Sequence, residues 1–322
     1  MSEREKRPVI VAGVGELSGD DPALLAAADI AQGANAELHL VRAYELPRLF
    51  SMAPGLEIAF PEGSDAYHDD VLGLLQGAAA REPGAEKAVC HALEGSPGAC
   101  ILRVAQEAGA DLVVVGAAHG PRLRRAFLGS TAQRVLRESR TPVLVARGRS
   151  VRPLNRVLVA SDLTEFGAAV QERALSLAEG ILGTPGSVHA LYVLPWSLVP
   201  PLEETAAILQ TARDRLQAYL DERQARSYPV TPAIRAGVPA EQIVAEAREW
   251  NADLVVVGTH ARGWGARLLL GSVAEATLRD APCSVLAVPP VRTGSAEEAG
   301  GQVPEQVPEQ VPSGWEGAVA VI

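Results

Sequence analysis

The stretch Asp253–Ser272, DLVVVGTHARGWGARLLLGS, has a second copy 142 residues upstream at Asp111–Ser130, DLVVVGAAHGPRLRRAFLGS. Each copy reads as one buried strand, a glycine-bearing loop and the start of a helix. Leu254–Val257 is a short, unbroken apolar run, the pattern of a parallel strand covered on both faces. Gly258 ends it, and Gly271 and Ser272 lead into Val273, Ala276 and Leu278 at helical spacing. The first N–H groups of such a helix have no partner within it and point back at the strand's carboxyl end, an arrangement that binds anions. A Walker A loop is excluded, because it needs Gly-Lys-Ser/Thr and the two lysines, Lys6 and Lys87, lie outside any Gly-rich loop.

Outward from this pair, the rest of the chain also repeats. The first unit reads as strand Val9–Gly13, a helix from Asp21-Pro22 to Gly33, and strand Leu38–Tyr44. A Pro-rich loop over 46–64 and a helix over Asp65–Ala80 follow. Next come strand Lys87–Leu93, a helix with Ile101, Leu102, Ala105 and Ala108 on one face, strand Asp111–Val115, a helix from Ser130 and strand Val143–Ala146. The second unit restarts at Arg156–Ala160, with a helix presenting Val170, Ala174, Leu177, Ala178 and Ile181 on one stripe. Strand Val188–Leu194 follows, and a long helix over Leu202–Arg226 turns Leu209, Ala212, Leu216, Tyr219 and Leu220 inward. Strand Val230–Arg235, a helix after Pro239, the Asp253 strand and Ser284–Val288 complete it. Five strands per unit, separated by helices, predict parallel sheets with right-handed crossovers. The fold class is therefore α/β, with two tandem doubly wound five-stranded parallel-sheet domains of Rossmann-like strand order 3-2-1-4-5.

The expected divisions are domains over 1–150 and 151–291, and a tail over 292–322. In the tail, proline recurs every fourth residue through Val303-Pro-Glu-Gln and Val307-Pro-Glu-Gln, which prevents a helix or central strand and predicts disorder. The 322 residues, 48% of them apolar, suffice for two cores. A net charge of −10 argues against a sequence-independent grip on nucleic acid or anionic lipid. Three cysteines, Cys90, Cys100 and Cys283, share no metal-ligand spacing and suit a reducing, cytoplasmic setting. No apolar run approaches the 18 residues of a membrane span.

The spacing Gly258-x2-Ala261-x9-Gly271-Ser272 resembles the nucleotide-binding loop of the universal stress protein family, G-x2-G-x9-G-[S/T], with Ala261 in place of the middle glycine. The resemblance extends to the strand end Ala160-Ser161-Asp162-Leu163-Thr164 and to Val193, and it covers nearly all of residues 7–290. It implies an ATP-binding second domain in which Asp162 accepts from the adenine amino group and Val193 touches the base. Ala160, Ser161, Val257, Gly258, His260, Ala261, Arg262, Gly271, Ser272 and Val273 would complete the site, with Mg2+ as an open addition. The first unit carries Ala12-Gly13-Val14 where the Asp motif is expected, Ala43 opposite Val193, and His119 at the middle glycine. That predicts one nucleotide per chain. The family habit of pairing through fifth strands would set Pro142–Arg147 against Cys283–Val288 within the chain, and a further homodimer stays open. Two alternatives to a regulatory ATP binder stand: a weak ATP hydrolase, for which no paired acid and base accompanies Asp162 and His260, and a non-nucleotide scaffold in which both loops are structural, favoured by Ala261 because a Cβ there narrows the approach to phosphate. The plain reading of Asp162 is a helix N-cap.

Overall fold

The structure is a computed structural model and describes residues 7–17, 20–45, 64–117, 128–148, 150–163, 165–195, 209–214, 216–217, 220, 227–259 and 270–290. The strands are β1 Val9–Gly13, β2 Glu37–Tyr44, β3 Val89–Glu94, β4 Leu112–Gly116, β5 Val143–Ala146, β6 Arg156–Ser161, β7 Ser187–Pro195, β8 Val230–Gly237, β9 Leu254–Gly258 and β10 Ser284–Val288. The helices are α1 Pro22–Ala34, α2 Ser64–Arg81, α3 Pro97–Glu107, α4 Ser130–Glu138, α5 Glu165–Leu177, α6 Pro239–Glu249 and α7 Ser272–Asp280.

All ten strands lie in one sheet, in the order β3-β2-β1-β4-β5-β10-β9-β6-β7-β8. Each half therefore has the order third, second, first, fourth, fifth, which is the predicted winding. Pairing within each half is parallel. The halves meet at an antiparallel pair, β5 with β10, the only one among the described residues, where Leu144 lies opposite Leu286 and Val145 opposite Val285.

Because side chains alternate along each strand, the seam feeds two cores. Leu144 and Leu286 join the cluster under α1, α2 and α5, while Val143, Val145, Val285 and Ala287 join the one under α3, α4, α6 and α7. Both clusters draw residues from both halves, so neither half closes its apolar surface alone. Polar bonds reinforce the seam. Arg147 N–H donates to Ser284 Oγ at 2.9 Å, and Arg147 Nη2 donates to the carbonyls of Leu278 and Arg279 in the last turn of α7, at 2.5 and 2.9 Å. Capping carbonyls with a cation suits the negative end of that helix. The connecting segment is anchored as well, with Ser150 Oγ donating to Asp29 Oδ2 at 2.7 Å and the Arg152 guanidinium lying directly over Gly33 of α1.

The helix after β6 departs from its predicted form. α5 passes into a π-helical turn, Ala178–Leu182, closed by Gly183 at φ 111°. The extra residue in that turn rotates the chain, bringing Leu182 inward beside Ile181, and Leu175 is buried where Leu177 is only half-buried. Of the predicted long helix over 202–226, Ala212 and Leu216 are buried, with Leu209 and Leu220 packed against them. Tyr219 lies outside the described residues, as does the tail from 292.

Candidate functional site

In the second half, the winding reverses between β6 and β9, which pair through Val157–Val159 and Leu254–Val256. A crevice at the carboxyl ends of such strands is where open α/β sheets take ligands. β6 runs into Ser161 and then the half-buried Asp162, and Leu163 turns left-handed at φ 56° with its N–H donating to Ser161 Oγ at 3.2 Å. That turn aims the Asp162 carboxylate at the first turn of α5, where Oδ1 sits against Gly167 so closely that a Cβ there would collide with it. Asp162 thus stands both at the switch point and at a helix N-terminus.

The other side of the crevice is closed by one backbone bond. Gly271 N–H donates to the carbonyl of Thr259 at 2.9 Å, and Thr259 N–H donates to Val288 O at 3.1 Å. Gly258 at the end of β9 and the start of α7 are thereby held together across the intervening loop. Gly271 is the N-cap of α7 and supplies no side-chain cap, so the amides of Ser272, Val273 and Ala274 depend on partners outside the helix. Val193 and Val257 are 4% and 3% exposed and belong to the core cluster under α6 and α7. Ala160 is half-buried, and its carbonyl accepts from Gln171 Nε2 at 3.4 Å. His260, Ala261 and Arg262 lie outside the described residues, as do His119, Trp264 and Arg267. Among the described residues no group of three His, Cys, Asp or Glu could hold a metal ion.

The first half has the same clamp, with Gly129 N–H donating to Ala117 O at 3.0 Å, but a different strand end. Register corrects the expected correspondence by one residue. Asp111 accepts from Val9 N–H and Asp253 from Arg156 N–H, while Ile10 pairs with Leu112 as Val157 pairs with Leu254. Gly15, rather than Val14, therefore occupies the place of Asp162, and Gly13 that of Ala160. The correspondence of Ala43 with Val193 stands, each pairing across to Leu93 and Arg235 respectively.

The missing carboxylate is supplied from the opposite side. Asp21, fully buried at the N-cap of α1, accepts from Gly15 and Glu16 N–H through Oδ2, both at 2.8 Å, and from Ala23 and Leu24 N–H through Oδ1, at 2.9 and 3.0 Å. Arg42 Nη1 donates to the carbonyls of Val14 and Gly15 from the neighbouring strand. The Gly15 and Glu16 N–H groups and the Val14 and Gly15 carbonyls are thus engaged by the protein itself. A cleft of about 280 Å³ remains between Gly13, Val41, Arg42, Val115, Gly129 and Ser130.

The universal stress protein family model matches residues 7–147 and again residues 153–289. The chain belongs to the universal stress protein family. Universal stress protein Rv2005c of Mycobacterium tuberculosis is 29% identical over 304 residues, covering 89% of this chain and 98% of that protein. A universal stress protein from Archaeoglobus fulgidus has a similar fold at a TM-score of 0.61 and 19% identity, over 88% of this chain and 99% of that one. The structure of PA1789 from Pseudomonas aeruginosa is similar at a TM-score of 0.62 and 20% identity, over 88% and 93% of the two chains.

Within this universal stress protein, sequence reasoning missed Asp21 and Arg42. Asp21-Pro22 carried an N-cap signal, but no pattern in the sequence announced that the same carboxylate would reach back to Gly15. Arg42 sits in a strand whose neighbours are apolar on both sides, and a lone cation there is the trace it left.

Proposed function

We propose that this stress-response protein binds one adenine nucleotide, in its second half, and acts as a regulatory binder in the cytoplasm rather than as an enzyme. The observation that supports it is the clamp of Gly271 on Thr259, which sets the uncapped start of α7 beside the end of β9, one strand away from Asp162 at the end of β6. Phosphates would take the α7 amides, and Asp162 would accept from the exocyclic amino group of adenine, with Mg2+ neutralising the phosphates where the metal is present. In the first half Gly15 offers no acceptor side chain, and Asp21 and Arg42 already hold the loop. That half would serve as the built-in partner.

The contact of Asp162 with Gly167 favours a second reading, a non-binding scaffold in which the carboxylate only caps α5. Calorimetry of the full chain with ATP, and separately with inorganic triphosphate, each with and without magnesium, decides between them. One ATP per chain is expected, and two equivalent sites would refute the unequal halves. Asp162→Ala should weaken ATP by about 10- to 100-fold, the equivalent of about 1.5–3 kcal/mol for a hydrogen bond to a charged group, while barely changing triphosphate. An equal loss for both ligands would return Asp162 to the role of cap.

A further inference from the structure

The two halves carry equivalent histidines on their second strands, and these have opposite surroundings. His39 on β2 and His189 on β7 pair across the sheet with β1 and β6 in the same register. Beside His39 stands His91 of β3, with Nδ1 of His39 and Nε2 of His91 3.0 Å apart. Ring centroids 5.2 Å apart and only 12° from parallel are too distant for face-to-face stacking. They fit two rings nearly in one plane, meeting head-on through those nitrogens. A head-on N···N contact holds one proton. Glu37 Oε1 lies 3.1 Å from His39 Nε2, which orients His39 as a donor to Glu37 and an acceptor from His91.

At the equivalent place in the second half, Ala233 replaces His91. His189 Nδ1 instead meets Glu246 Oε1 of α6 at 3.1 Å, and its ring stacks on Trp250 at 3.6 Å between centroids. Arg235 of β8 holds the other Glu246 oxygen at 2.6 Å and reaches Glu249 at 2.5 Å. Among the described residues, neither β3 nor β8 has a strand on its outer side, so each histidine sits at the last strand pairing of the described sheet.

We infer that His39 and His91 form an acid-sensitive latch on the β3 edge, closed while the two rings share one proton at their contact and opened when both are protonated. The β8 edge stays closed under the same acid, because a proton on His189 meets a carboxylate. Charged groups facing the His39–His91 pair are Glu37 from β2 itself and Glu107 from α3, while β1, Val9–Gly13, carries no charged side chain. Burial, and then His39, hold His91 below its ordinary value of 6.5, with Glu107 pulling the other way. A base weakened by folding binds its proton more readily in the unfolded chain. The stabilisation is therefore complete above about pH 6.5 and is lost as the pH falls below it. Opening would free β3 from β2 and expose the edge as a site for pairing or cleavage.

Amide hydrogen exchange on the full chain, taken from about pH 8 to about pH 5 and corrected for the intrinsic pH dependence of exchange, tests this. Protection of Cys90–Glu94 should fall about tenfold for each unit by which folding depresses His91, while Ala233–Gly237 keeps its protection. Long-range imidazole ¹H–¹⁵N spectra should show His39 and His91 sharing one proton at high pH. His91→Ala, which installs the residue of the second half, should abolish the pH dependence of β3. Equal loss of protection at both edges, independent titration of the two rings, or a β3 response that persists in His91→Ala would each overturn the latch. Where His91→Ala fails to fold, the comparison of β3 with β8 in the unaltered chain decides alone.

Discussion

The two halves share a winding, a strand-to-helix clamp and a carboxylate at the end of the first strand, yet the carboxylate arrives from opposite directions. In the first half Asp21 reaches back from α1 and satisfies four backbone N–H groups. In the second, Asp162 reaches forward from β6 to the start of α5 and remains half-buried. One backbone plan thus accommodates a buried carboxylate and a half-exposed one, and the difference rests on where a single acidic side chain is attached. A buried carboxylate with every oxygen engaged has nothing left to offer a ligand, whereas a half-buried one still meets solvent.

The sharpest way to break the contrast is to ask whether the halves are separate bodies at all. Leu144 and Leu286 are fully buried and face each other across the seam. Leu144→Ala should cost about 2–5 kcal/mol, and the thermal transition should remain single, because both cores cross the seam. Two resolved transitions, with only the first lowered, would show that the halves fold independently.

Next in size is the pair of carboxylates. Asp21→Ala strips the N-cap of α1 and leaves buried N–H groups without partners, and should cost about 2–4 kcal/mol. Asp162→Ala should cost only about 1 kcal/mol, the worth of an ordinary cap. Denaturant titration of the two variants measures the gap. Equal losses would mean that Asp162 is as structural as Asp21.

The smallest effect should be a gain. Thr277 of α7 is fully buried, and its Oγ1 has no hydrogen-bond partner, while Val135 fills the matching place in α4. Thr277→Val replaces an unsatisfied hydroxyl by a methyl of similar size and should raise stability by about 1 kcal/mol. A loss instead would show that the hydroxyl is satisfied in solution.

Most of this architecture was legible because a repeat supplies two readings of each element. The LVVVG strands and the Gly-Ser helix starts are local patterns, and sheet order follows from helices alternating with strands. Register was less legible. β1 and β6 are apolar runs without internal landmarks, so the placement of Val14 against Asp162 slipped by one, and it took the contacts of Asp111 and Asp253 to the strand starts to fix it. The π-helical turn at Ala178–Leu182 left no mark in the apolar stripe, since Ile181 and Leu182 are adjacent apolar residues and an ordinary helix accounts for either one facing the core. The Asp21 network and the His39–His91 contact join residues whose meeting depends on tertiary position.

The antiparallel β5–β10 pair also bears on assembly in a cell that holds many related chains. Proteins that join edge to edge as separate subunits can trade partners, and their pairings then follow relative abundance. Here the two fifth-strand edges are spent on each other inside one polypeptide. Unlike units are produced in equal number, meet at first order regardless of concentration, and are not diluted into mixed dimers through that edge.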